Sequence, residues 1–162
     1  MPNPAKFREA GVRACLALLF NSYFDRSSAD DVLVLRKSLK EPIWCVTGTF
    51  DVGSKARGCP TFSEEAVAEF AKGGDWERQV RFDHVVRIKT ITDRLLTACD
   101  EADVRRVFEE TPTCVVTKDE HTRLTKQDRK DPKVEGWERY RKLSINVVAG
   151  PHVAIVEGKI VS

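Results

Sequence analysis

A chain of 162 residues with 41% hydrophobic and 32% charged residues has the makeup of a folded domain, not of a disordered tail. Its net charge of +2 is too small to identify a polyanionic partner by itself. No apolar run nears the ~20 residues of a membrane helix, and Lys6, Arg8, Glu9 and Arg13 interrupt the N-terminal apolar positions, which argues against a secretory signal. The expectation is a single cytoplasmic domain, 1–162, with no membrane partner and of undetermined oligomeric state.

The first element is expected to be a helix. Asn3-Pro4 supplies a cap and an N1 proline, and Val12, Cys15, Leu16, Leu19, Phe20 and Tyr23 recur at helical spacing. Ser28 caps a second helix to about Lys40, with Val32, Leu35 and Leu39 inward, and Pro42 stops it. Ile43 to Phe50 alternates, with Trp44, Val46 and Phe50 on one face, and reads as a strand. Asp51 to Pro60 reads as a loop. Thr61 and Glu64 make a capping box before Ala66, Val67 and Phe70, and Gly73-Gly74 ends that helix.

Arg78 to Ile88 is extended. Thr90 and Asp93 cap a short helix, and Asp100 starts another through Val104, Val107 and Phe108. Pro112 ends it, and Thr113 to Val116 is a β-branched strand. Thr117-x-x-Glu120 is a capping box, so a helix begins at Lys118 and fades near Gln127. A further turn of helix is expected within Gly136 to Lys142. Leu143 to Val161 reads as a terminal β-meander punctuated by Gly150-Pro151 and Glu157-Gly158. The fold class is α+β: a helical N-terminal half (about 1–40), a strand–strand–helix part (about 78–128) and a C-terminal meander (about 143–161) on a small mixed or antiparallel sheet.

The five cysteines are odd in number and form no C-x-x-C pair, which fits reduced, mostly buried thiols and not a structural zinc site. Chemistry concentrates in two segments, Arg81-Phe82-Asp83-His84-Val85-Val86 and Cys114-Val115-Val116-Thr117-Lys118-Asp119-Glu120-His121. An Asp-His pair on one strand, with a His in the first turns of a later helix, is a donor set for one divalent metal beside a general base. Asp83 and His84 are adjacent, so an ideal strand points them oppositely, and a bulge or strand end must bring both to one site.

These segments resemble the ββα-metal core of the HNH endonucleases, including the colicin-type DNases. The resemblance implies a metal-dependent nuclease, a hydrolase of phosphodiester bonds, with Mg, Mn, Ni or Zn. Asp83 and His121 would hold the metal, and His84 would activate water. Arg81, Arg87, Arg123 and Lys126 are the phosphate contacts expected beside them, with DNA preferred over RNA as partner. The departures are specific. Pro112 stands near the family's orienting Asn, Thr125 at its last ligand position and Arg87 at its usual Pro, and two helices separate the halves. The segment Gly136-Trp137-Glu138-Arg139-Tyr140 is similar to the closing part of small bacterial and phage proteins, a likeness that implies no activity.

Plainer readings stand beside each residue. His84 can be a satisfied core or edge residue, and Asp83 can pair with Arg81 or Arg87. His121 can be a solvated surface residue. Glu120 belongs to the capping box. Trp137, Arg139 and Tyr140 can stack on a base or anchor a small core. From Lys118 to Lys142 there are nine Lys or Arg against six Asp or Glu, which suits a phosphate-bearing partner or a mixed solvated surface. The alternative function is therefore a non-catalytic interaction protein, such as a phage-borne inhibitor with a protein partner, or a regulatory or nucleic-acid-binding module on a degenerate HNH scaffold.

Overall fold

The computed structural model describes residues 4–47 and 59–150. The chain separates into two compact units that interleave in sequence: Met1–Phe50 with Val86–Pro112, and Asp51–Val85 with Thr113–Ser162.

The first unit is helical. Helix α1 (Pro4–Leu19) buries Val12, Cys15 and Leu19 on one stripe. It stops before Tyr23, which is 88% exposed, so the expected apolar face ends one turn early. Helix α2 (Ala29–Ser38) is capped by Ser28, whose side chain accepts from the Asp31 backbone N–H. Its Leu35, and Leu39 just beyond its end, are fully buried.

Residues expected as a strand form helix α3 (Lys40–Thr47) instead. Pro42 lies in its first turn, where a missing N–H costs no intrahelical bond. Ile43, Val46 and Thr47 then fall on one buried face at three- and four-residue spacing. Phe50 and the expected loop through Gly58 lie outside the described residues.

Gly11 of α1 packs directly on α3. A Cβ there would stand 2.8 Å from both Cys45 Cβ and Val46 Cγ2. Helices α5 (Ile88–Thr97) and α6 (Glu101–Glu109) complete the core through Ile91, Leu95, Val104 and Phe108. Helix α5 starts at Ile88 behind Arg87, three residues earlier than a Thr90 cap suggests. Helix α6 begins behind Asp100, as its cap predicts.

The second unit holds a four-stranded sheet in the order β2-β3-β1-β4. Strand β1 (Thr61–Ser63) runs parallel to β3 (Thr113–Thr117) and antiparallel to β4 (Val147–Ala149). Strand β2 (Val80–His84) runs antiparallel to β3, with Val80 opposite Thr117 and His84 opposite Thr113. Helix α4 (Glu64–Ala71) follows β1, and its cap is Ser63, not Thr61. Gly73 and Gly74 end it at positive φ, where a side chain would be strained. Trp76–Arg78 form a single 3-10 turn before β2.

Helix α7 (Lys118–Lys130) carries the complete Thr117/Glu120 capping box and runs one turn past Gln127. Helix α8 (Trp137–Lys142) follows. Of the expected terminal meander, β4 is described and residues 151–162 lie outside the described residues.

Strand β3 is paired on both edges and packed on both faces, and all five of its residues are buried. Cys59, Phe62, Ala66, Trp76, Val80 and Val115 pack together on the α4 side. Cys114, Val116, Leu124, Tyr140 and Ile145 pack with Val85 on the α7 and α8 side. The molecule is thus α+β, helix-rich with a small mixed sheet. No helix among the described residues is long and apolar enough to cross a membrane.

Candidate functional site

Strands β2 and β3 with helix α7 form a ββα element in the expected order. The β2–β3 register is continuous from Val80 to His84, with no bulge. Side chains therefore alternate strictly between the two sheet faces. Phe82 and His84 share one face, their rings edge to face with centroids 5.7 Å apart. Phe82 packs against the cluster of Phe62, Trp76 and Val115 on the α4 side. Asp83 faces the other way, toward α7 and α8.

That sidedness separates the three residues expected to converge. Asp83 and His121 do face each other, with His121 Nε2 3.9 Å from Asp83 Oδ1. His84 is buried on the opposite face, so it does not stand beside them as a base. The strand end that had to turn both residues to one site does not do so.

Asp83 is instead the acceptor of a buried polar network. Its Oδ2 accepts from Tyr140 Oη at 2.7 Å and from Arg139 Nη1 at 3.2 Å. Burial pushes the Asp83 carboxyl up, while Arg139, the Tyr140 hydroxyl and His121 pull the other way. Burial also pushes the Tyr140 phenol up, reinforced by the adjacent carboxylate, so Tyr140 acts as a donor. Arg139 is 2% exposed. It also donates to the carbonyls of His84 and Val85, at 2.9 and 3.0 Å. Its Nε and Nη2 grip both oxygens of Asp128 at 2.7 and 2.9 Å. Burial opposes the charge on Arg139, but Asp83 and Asp128 outweigh it and hold the guanidinium above its ordinary range.

The fit of a divalent metal can be tested on these contacts. Among the described residues, no group of three or more His, Cys, Asp or Glu side chains could hold a metal ion. Thr125 donates to the His121 carbonyl at 2.8 Å, back-bonding within its own helix. Pro112 offers no donor to orient an imidazole. The positive charge beside Asp83 comes from Arg139. The described residues do not fit a metal centre of the ββα type.

The expected phosphate contacts come from β2, from the residue before α5 and from α7. Arg81 is exposed on β2 and donates to its own neighbour's carbonyl, Val80 O, at 2.8 Å. Arg87 precedes α5 and belongs to the helical unit. Arg123 and Lys126 are exposed on α7. Arg123 Nη1 donates to Leu143 O at 3.2 Å, and its Nη2 stands 3.9 Å from Glu65.

A different charge pattern appears at the level of the surface. From Lys118 to Lys142, every Lys and Arg except Arg139 is exposed, whereas only Asp119 and Glu138 are exposed among the six carboxylates. Glu120 is fully buried, accepting from Ser63 Oγ at 2.5 Å and from the Thr117 N–H at 2.8 Å. Asp128 is taken up by Arg139, and Asp131 pairs with Lys142 at 3.3 Å. The fold buries or half-buries four of these six acids and exposes eight of the nine bases. Among the described residues, no ion pair holds Lys118, Lys126, Arg129, Lys130 or Lys133.

Sequence reasoning did not give Asp128 or Ser63 a site role. Arg139 and Tyr140 are expected to stack on a base or anchor a small core, not to be partners of Asp83. No family model, curated protein or solved structure matches this chain.

Proposed function

We propose that the chain is a non-catalytic nucleic-acid-binding module built on a ββα scaffold. The outward side of α7 contacts the phosphate backbone through Lys118, Arg123, Lys126, Arg129 and Lys130. The observation that carries this reading is the segregation of charge over Lys118 to Lys142, with cations exposed and most carboxylates buried or paired. A helix of this length spans about 20 Å, enough to meet several phosphates along a groove. Such contacts position a protein on a duplex without reading its sequence.

The hydrolytic reading has the order of β2, β3 and α7 and the Asp83–His121 approach in its favour. It lacks a third ligand among the described residues, and His84 faces away. It therefore stands second.

The test is fluorescence anisotropy with mixed-sequence duplex DNA and RNA over a range of salt. Affinity should fall steeply with salt, by about 0.9 in log–log slope for each phosphate neutralised. Lys126→Ala combined with Lys130→Ala should weaken binding to all sequences alike and lower that slope by roughly 2. EDTA should make no difference. Absence of salt-sensitive binding would end the proposal. Metal-dependent nicking of plasmid DNA that is lost in His84→Ala would restore the nuclease reading.

A further inference from the structure

We infer that Arg139 is the resident cation of the ββα element: a side chain occupies the charge position that a soluble divalent ion would otherwise be needed to fill. This stands on different observations from the nucleic-acid proposal and holds whether or not α7 binds a polyanion.

Five oxygen atoms surround the guanidinium. Nη1 meets Asp83 Oδ2, His84 O and Val85 O at 3.2, 2.9 and 3.0 Å, and Nε and Nη2 meet Asp128 Oδ1 and Oδ2 at 2.7 and 2.9 Å. Two carboxylates and two main-chain carbonyls form the all-oxygen donor set that hard cations take. Two parts of the chain supply it, the end of β2 with Val85 and helix α7, and the cation comes from helix α8. A planar fork suits this set better than an ammonium, because its donors diverge in fixed directions. Val85 is fully buried, so its carbonyl would lack a partner without the guanidinium.

The charges balance only in part. Asp128 receives the two-pronged grip, and Asp83 shares the remaining charge with help from the Tyr140 hydroxyl. Removing Arg139 leaves two carboxylates and two carbonyls facing a hole of guanidinium shape. The chemical class that refills it is a free guanidinium ion. A built-in cation cannot be chelated, so the element holds together without divalent metal.

Thermal unfolding of the full chain tests this. Wild-type protein should melt at the same temperature in EDTA and in millimolar Mg, Mn, Ca, Ni or Zn. Arg139→Ala should melt roughly 6–20 °C lower. Low millimolar guanidinium chloride should recover part of that loss while leaving the wild type unchanged, and ammonium chloride should not. A wild-type transition that falls in EDTA, or rises saturably with one metal at a single equivalent, would overturn the assignment. So would a folded Arg139→Ala that guanidinium does not rescue. If that variant does not fold, exchange of the Arg139 Nε proton in the wild type decides. Strong protection supports the inference, and exchange as fast as at exposed Arg141 overturns it.

Discussion

Tyr140 Oη donates to Asp83 Oδ2 at 2.7 Å across a sequence separation of 57 residues, joining α8 to the middle of the ββα element. Both partners are buried, so this bond joins an aromatic that fills the core to a carboxylate that the core would otherwise exclude. Tyr140→Phe keeps the ring and its edge contact with Trp137, whose centroid lies 5.2 Å away. It removes only the donor. The expected loss is about 1–3 kcal/mol, read as a lower midpoint in urea with an unchanged slope. Salt-dependent binding along α7 should be unaffected, since Tyr140 does not reach that surface.

Gly11 tests the packing of the helical unit. The hypothetical Cβ there also lies 3.0 Å from Pro42 O, so α1 and α3 must separate to accept it. Alanine favours a helix by about 1 kcal/mol over glycine. Overpacking at a contact this close costs about 1–3 kcal/mol. Gly11→Ala should therefore be destabilising overall, with a lower melting temperature despite the better helix former. A more stable Gly11→Ala protein would show that the two helices do not meet as described.

The five thiols should separate by reactivity. Cys99 is exposed, Cys45 is half-buried, and Cys15, Cys59 and Cys114 are fully buried. Burial pushes the Cys15 thiol up to about 12 and raises those of Cys59 and Cys114 as well. The thiolate is the reactive form, so burial and protonation act in the same direction. Native protein with iodoacetamide near neutral pH should label Cys99 first and Cys45 second. Cys15, Cys59 and Cys114 should react only on unfolding. Peptide mapping by mass spectrometry reads the order directly.

Acid stability should depend on Glu9. Arg105 Nη1 and Nη2 meet the two oxygens of Glu9 at 3.2 and 2.9 Å, and this hydrogen-bonded pair holds the Glu9 carboxyl below the usual range. A carboxyl depressed in the folded state stabilises that state above its unfolded pKa. That contribution disappears as pH falls through the depressed value. Arg105→Gln should raise the Glu9 titration midpoint, measured by NMR of the side-chain carboxyl, toward that of an ordinary glutamate. It should also shallow the acid-side fall in melting temperature. The pair is exposed to solvent, so salt should weaken the effect.

Local features of the chain were readable where the physics is local. The Thr117/Glu120 capping box, the Asp100 and Ser28 caps and the Gly73-Gly74 stop each involve side chains and backbone within a few residues. Their positions agree with expectation. Ile43 to Thr47 was ambiguous for the same reason. Trp44 and Val46 satisfy an alternating pattern, while Ile43, Val46 and Thr47 satisfy a helical one, and in so short a stretch both periods fit. Contact with Gly11 on α1 favours the helix, because the small residue lets the two axes approach closely.

The amino-acid order by itself determined where α1, α2, α6 and α7 start, which residues are apolar, and that a strand–strand–helix element exists with Asp83 and His121 in it. Only the tertiary structure decided what that element holds. An unbroken ladder with β3 commits Asp83 and His84 to opposite faces, and no pattern within six residues reveals whether a ladder breaks. Arg139 reaches Asp83 from 56 residues away, and Ser63 reaches Glu120 from 57. Which cation answers a buried carboxylate is settled by the packing of distant helices, since desolvation and hydrogen bonding act through space and not along the chain.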